Sequence, residues 1–210
     1  MTDKTPVRER LLKAAAQLFY ADGVVATGID AITARAGVAK MSLYNNFESK
    51  AELIAAYLEA RNAEWQGLCQ ARLAAAASPS ERVLAVFDSY VDHAGFAYER
   101  GFRGCGLLNA AAELPVGDPG RAVVAHQKEE AEAHFREHLH ALWPAEPVRA
   151  EETAQHLSFL LEGAMARAGL DGHDGHLKTA RKLAAALLGH AVPAGTAGRT
   201  TPTPEKTGDR

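Results

Sequence analysis

Residues 28–47, reading GIDAITARAGVAKMSLYNNF, constrain this chain more than any other stretch. Ile29, Ile32 and Ala36 recur at helical spacing, which predicts a short amphipathic helix over Ile29–Ala36. Gly37 follows where such a helix stops in a left-handed conformation, open to a residue without a Cβ. Val38 is apolar and can fill the angle between two helices. A second short helix is expected over residues 40–45, with Leu43 and Phe47 at i and i+4 facing inward. Its other face carries Lys40, Met41, Ser42, Tyr44 and Asn45. Two short helices joined by a tight glycine turn make a helix-turn-helix, whose second helix fits the DNA major groove.

The flanking residues extend the pattern. A helix ending in LFYADGV precedes it and SKAEL follows it. Thr27, Ile29, Ile32, Ala36, Gly37, Val38, Leu43, Tyr44, Phe47, Lys50 and Leu53 then stand in a fixed order. In these features, over residues 6–53, the chain resembles the tetracycline-repressor (TetR) family of bacterial transcription regulators. The resemblance implies that Thr27 and Lys50 meet the DNA backbone, and a helix N-terminus near Thr27 favours an anion in any case. The expected DNA-contacting set is Thr27, Gly28, Lys40, Met41, Ser42, Tyr44, Asn45 and Lys50. Within it, Tyr44 and Lys50 are expected on phosphates, and Lys40, Ser42 and Asn45 nearest base edges. There are departures from the family pattern. Ala39 stands where a capping Ser is usual, a loss of about 1 kcal/mol. Met41 replaces a usual Gly, and Asn46 a usual aromatic or His; these changes bear on the operator sequence rather than the fold.

The chain carries 23 Lys/Arg against 26 Asp/Glu, a net charge of −3 that suits a DNA ligand poorly until it is divided. Residues 1–50 are +2 and residues 51–210 are −5. The basic excess lies with the helix-turn-helix, and the acidic remainder would be held off the phosphates. With 47% apolar and 23% charged residues, the composition is that of a soluble globular protein. No long apolar run and no signal-peptide core is present, so a cytoplasmic location without membrane partners is expected.

Upstream, Thr5 can cap a first helix with Pro6 at its first position; Val7, Leu11, Ala15, Leu18 and Phe19 form its buried stripe, up to Gly23. Ser49 and Glu52 make a capping box for a long helix through Tyr57, Arg61, Trp65 and Leu68 to the alanines at 74–77. Ser78-Pro79-Ser80-Glu81 opens another, with Leu84, Phe87, Val91 and Ala94 inward. Residues 102–109 (FRGCGLLN) break the pattern with two glycines and resemble the RGC…LNAA segment of one large TetR subgroup. Asp118-Pro119 restarts a helix carrying Val124, Ala131, Phe135, Leu139 and Leu142, which Trp143-Pro144 ends. Helices over 151–170, through Leu157 and Leu161, and over 176–190, through Leu177 and Leu187, follow. The expected fold is all-α with about nine helices. Residues 1–50 form a DNA-binding head and 51–192 a ligand-binding and dimerisation bundle. Residues 193–210 are expected as a disordered tail, and 1–4 as a loose one. The resemblance implies a homodimer in which the last two helices of each protomer pair as a four-helix interface. Gly163, Ala164, Ala168 and Ala184 are small enough to let helices approach.

Other chemistry is sparse. No GxSxG, P-loop or dinucleotide fingerprint occurs, and Glu129-Glu130 and Glu151-Glu152 read as solvated helix faces, so neither catalysis nor a cofactor is expected. His134, His138 and His140 invite a metal reading but lack HExxH or a Cys or Asp partner at ligand spacing; they read as solvated or interface histidines. Cys69 and Cys105 are too few for a disulfide framework. Cys105, near a helix start, reads first as a small buried hydrophobe and second as a reactive thiol. A ligand pocket is expected among Phe87, Tyr90, Phe102, Cys105, Leu108, Phe159 and Met165, with Asn109 or Glu162 for polarity. The chain therefore reads as a ligand-responsive regulator, a repressor that leaves a palindromic duplex operator when an unidentified small-molecule inducer fills the bundle. By resemblance, the inducer moves the helix after Ser49. The alternative is a small-molecule- or redox-sensing helical protein without specific DNA binding, supported by Ala39 and Met41.

Overall fold

Side-chain caps fix the starts of three helices along the chain. The computed structural model describes residues 5–189. Their helices are α1 (Val7–Asp22), α2 (Ile29–Ala36), α3 (Lys40–Tyr44), α4 (Lys50–Ala75), α5 (Pro79–Ala94), α6 (Gly106–Glu113), α7 (Pro119–Leu142), α8 (Pro147–Asp171) and α9 (Gly175–Gly189). No strand occurs among the described residues, and none of these helices is long and apolar enough to cross a membrane. Ser49 accepts from the Glu52 N–H at 3.1 Å, and the Glu52 carboxylate reaches back to the Glu48 N–H at 2.5 Å. Ser78 and Glu81 do the same for α5, at 3.3 Å and, to the Ala77 N–H, 2.7 Å. Asp118 caps α7 through the Gly120 N–H at 2.8 Å. Each contact satisfies a donor that a first helical turn leaves without an intrahelical partner.

Some boundaries move. Pro6, not Thr5, occupies the capping position of α1. α8 begins at Pro147, ahead of the expected 151, because proline at a helix start lacks only an N–H that would go unpaired there. His190, Ala191 and the expected tails at 1–4 and 193–210 lie outside the described residues.

Two apolar cores result, and α4 enters both. Leu11, Phe19, Ile32, Leu43 and Phe47 of the head close over Leu53, Tyr57 and Leu58 of α4, with Leu107 and Ala110 of α6 and Val124 of α7 beneath. Farther along α4, Trp65 and Cys69 join Val86 and Phe87 of α5, Phe135 and Leu139 of α7, Leu157 and Leu161 of α8 and Leu177 of α9. The head's core thus reaches past residue 50. Ala164, Ala168 and Ala184 are buried inside the protomer, whereas Gly163 faces out.

Where the glycine-rich segment 101–106 crosses α8, the two backbones touch. Gly104 holds φ at +81°, and a Cβ on Gly169 would fall 2.7 Å from both the Cα and the N of Gly104. Backbone atoms cannot swing away as a side chain can. Gly169→Ala is expected to cost about 1–3 kcal/mol. Gly67→Ala, in α4 with open space around its Cβ, should instead stabilise by about 0.5–1 kcal/mol. Thermal melts of the two variants should therefore move in opposite directions.

Candidate nucleic-acid interface and buried polar cavity

Gly37 takes the left-handed conformation (φ 65°, ψ 40°) that lets α2 stop and α3 start at an angle. Arg10 reaches across from α1 and donates to the Ala36 and Gly37 carbonyls at 2.6 and 2.9 Å, closing the end of α2. With Leu43 and Phe47 buried, α3 turns Met41, Tyr44 and Asn45 to solvent; Met41 is 69% and Tyr44 47% exposed. Ala39 offers no side-chain cap. Ser42 is half-buried, and its carbonyl accepts from the Asn46 amide at 2.7 Å. Lys40 is exposed and lies 2.8 Å from Asp30, and Gly28 is exposed at the start of α2. Lys50 donates to the Val25 carbonyl at 3.1 Å, a bond that uses one of its three N–H groups. Thr27 does not sit as the phosphate reading asks. It is 4% exposed, and its hydroxyl donates to the Gly23 carbonyl at 2.6 Å. A hydroxyl has one proton, so this one locks the turn between α1 and α2.

The head is latched to the body around residues 98–113. The Tyr20 hydroxyl accepts from the Arg103 N–H at 2.6 Å and donates to the Gly104 carbonyl at 3.1 Å. Its ring stacks on Tyr98 with centroids 4.3 Å apart. Burial pushes the Tyr20 hydroxyl up to about 12, so the donated proton stays in place. The Arg103 guanidinium returns to the carbonyls of Tyr20, at 3.0 Å, and Ala21. Glu113 accepts from the Val25 N–H at 2.8 Å, Arg35 pairs with Glu99 at 2.7 Å, and Arg100 pairs with Asp22.

Behind the latch lies a narrow cleft of about 20 Å³, room for one water-sized group. Lys128 stands 2.9 Å from Glu162, 3.5 Å from the Cys105 sulfur and 5.5 Å from the Tyr90 ring centroid. Burial works against its ammonium, but Tyr90, Cys105 and Glu162 outweigh that penalty and hold its pKa above the ordinary lysine value. Opposite, Arg61 donates to the Tyr98 hydroxyl at 3.2 Å, pairs with Glu64 at 2.5 Å, and meets Nε2 of His93. A guanidinium can only donate, so that nitrogen is an acceptor and the ring is neutral. Burial, helped by Arg61 and Lys128 and opposed by Glu64, lowers the His93 pKa in agreement. Arg61 Nε, Trp65 Nε1, Gln127 Oε1, Glu162 Oε2 and the Tyr57 hydroxyl are buried without a hydrogen-bond partner among the described residues.

The predicted pocket residues divide. Tyr90, Cys105 and Met165 line the cavity, and Glu162 joins it through Lys128. Leu108 and Asn109 open, again with Cys105 and Met165, onto an outer groove of about 390 Å³. Phe87, packed on Phe135 with centroids 5.3 Å apart, and Phe102 belong to the body's apolar core. Phe159 is 70% exposed and lines neither space. Two residues from both Leu157 and Leu161, it stands about 200° round α8 from that stripe. Sequence reasoning missed Arg61, Trp65, His93, Gln127 and Lys128 as cavity residues. A signal existed: Arg61 sits at i+4 from Tyr57 and i−4 from Trp65, a charge within an apolar stripe.

Residues 11–57 match the family described as bacterial regulatory proteins, tetR family. A TetR-family transcriptional regulator from Streptomyces coelicolor is similar at 31% identity and a TM-score of 0.79, over 87% of this chain and 94% of that one. A putative TetR transcriptional regulator from Streptomyces avermitilis is similar at 36% identity and 0.65, over 86% and 98%. One from Chloroflexus aurantiacus gives 26% and 0.71, over 87% and 93%. Curated proteins yield no match.

The Tyr20 latch can be tested directly. Tyr20→Phe keeps the ring and its stacking but strands the Arg103 N–H and the Gly104 carbonyl. The expected loss is about 1–3 kcal/mol, read as a lower urea midpoint at unchanged slope.

Proposed function

The chain belongs to the TetR family of bacterial transcription regulators, and on that premise we propose that it is a homodimeric repressor released from a palindromic operator by a small molecule. The observation that carries this reading is the outward presentation of Met41, Tyr44 and Asn45 on a helix whose Leu43 and Phe47 are buried. Residues 1–50 act as the DNA-binding head and 51–192 as the sensing and dimerising body. Tyr44 and Lys50 engage phosphates, while Lys40, Ser42 and Asn45 read base edges. Thr27 supports the turn instead of touching DNA. No catalytic step is assigned, and the site of action is the cytoplasm, where the DNA is.

The effector acts at the cavity between Arg61, Cys105 and Lys128. Small-molecule sites usually enclose about 300–1,000 Å³, so the narrow cavity of about 20 Å³ must widen to admit one. Its walls come from α4, α5, α7 and α8 together with the 105–107 segment. Parting them moves elements that also pack in the head's core, which ties occupancy to the separation of two recognition helices. Duplex half-sites repeat at about 34–36 Å, so a shift of a few ångströms spoils simultaneous docking.

An outward apolar stripe supports the dimer: Phe159, Ala166 and Leu170 on α8, and Leu183 and Leu187 on α9, face solvent in the protomer. Leu161, by contrast, is core, and a charge there would unfold the chain rather than split it.

Two measurements test the proposal. Selection from random duplexes should enrich a palindrome; Lys50→Ala should weaken every sequence alike, and Asn45→Ala should relax preference at one position by about 1–3 kcal/mol. Enrichment of no motif would favour a sensor without specific DNA binding. In sedimentation, the wild type should be a dimer and the Phe159→Glu/Leu187→Glu double variant a folded monomer. A folded wild-type monomer at micromolar concentration would refute the dimer.

A further inference from the structure

Outside the junction, one cluster on α7 is unused by the regulatory reading. We propose that His134, Glu137 and His138 bind a divalent transition-metal cation, zinc being the best match. The three residues offer ligand atoms that all lie within 4.8 Å of one another, and they are the only such group among the described residues. The two imidazoles, one helical turn apart, have centroids separated by 6.3 Å and planes inclined by only 19°. Tetrahedral zinc with bonds of about 2.0–2.2 Å asks for donors about 3.4 Å apart. Glu137 is exposed and His134 half-buried, so side-chain rotation can close the difference. The spacing His-x-x-Glu-His is one in which helical imidazoles at i and i+4 hold zinc in metallopeptidases.

His138 is the independent observation. It is 5% exposed, and its Nε2 is buried without a hydrogen-bond partner among the described residues. A buried, unpartnered ring nitrogen is costly unless something else satisfies it. His134 and Glu137 line a groove of about 340 Å³ walled on the other side by Trp65, Gln66 and Gln70 of α4, which gives the cation a path and leaves room for water as a further ligand. Glu130, also in that groove, is engaged by Asn62 and Gln66 at 3.1 and 3.0 Å and is not counted as a ligand. The sequence reading set these histidines aside because it looked for HExxH and overlooked the carboxylate between them.

The test uses full-length protein, free of any histidine tag and stripped with a chelator. Cobalt titration should give the intense visible bands of four-coordinate geometry, at one equivalent per protomer, and zinc should displace the cobalt. Even outer partners of metal ligands are worth about 10–100-fold in affinity, so His134→Ala and Glu137→Gln should each weaken zinc binding at least about tenfold. Both positions are solvent-accessible, so these variants avoid the buried His138. His140→Ala and His176→Ala, which remove histidines paired with single carboxylates, should change nothing. Absence of saturable binding below millimolar zinc overturns the assignment, as does unchanged affinity in either His134→Ala or Glu137→Gln.

Discussion

A single unbroken helix has its two ends in different cores. The 26 residues of α4 span about 39 Å at 1.5 Å per residue, with no proline to interrupt them. Leu53, Tyr57 and Leu58 are locked beneath the head, and Trp65 and Cys69 within the body. A helix bends sharply only where its ladder of backbone bonds is broken, so these two sets of contacts are held in fixed relation. The head cannot dispense with this support. Three short helices bury little surface alone, and small cores are marginal. The head therefore borrows Leu107, Ala110 and Val124 as well as the start of α4. Whatever moves those borrowed residues disturbs the core that holds α3.

The polar cavity lies at the middle of that rod, on Arg61, where close apolar packing gives way. Ionised groups survive burial when paired, and here Arg61 has Glu64 while Lys128 has Glu162. The remaining polar atoms are left short of partners, and that lowers local stability in a region both cores depend on. Functional sites are where proteins tolerate such departures from a well-satisfied interior. The opposite wall is equally consequential. Cys105 precedes α6 and faces Lys128, while its neighbours Arg103 and Gly104 carry the Tyr20 latch. Gly106 is needed for close approach rather than for an unusual backbone angle, because a Cβ there would fall 2.9 Å from the Tyr57 hydroxyl.

The helices were legible because their signals are local. Ser49 with Glu52, Ser78 with Glu81, and Gly37 each act within four residues, and each does in the structure what its spacing predicts. Apolar periodicity likewise located the inward face of α3. The site was legible only in part, since its geometry comes from residues far apart in sequence. Tyr20 and Arg103, or Val25 and Glu113, meet through the fold alone, and nothing in their neighbourhoods announces a partner. Phe159 misled for a related reason: hydrophobicity says that a side chain seeks cover, but not whether its own protomer supplies it. Arg61 was the readable clue passed over, because a charge in an apolar stripe requires a buried partner.

The head's charges explain how so small a basic excess can serve a DNA-facing surface. Arg10 closes α2, Arg35 holds Glu99, Lys40 holds Asp30 and Lys50 holds the Val25 carbonyl. Long-range attraction of a duplex is weak when so many cations already have protein partners. These partnerships are nevertheless inexpensive to exchange. An exposed pair such as Lys40–Asp30 is screened by water, so either partner is readily exchanged. Lys50 need not exchange at all, since two of its N–H groups are not used by Val25. Arg35 differs, because its partner lies on the body: releasing Glu99 would also loosen the latch. The exposed α3 side chains are placed by the buried Leu43 and Phe47. The same packing that borrows α4 for stability thereby ties the placement of α3 to α4, α6 and α7.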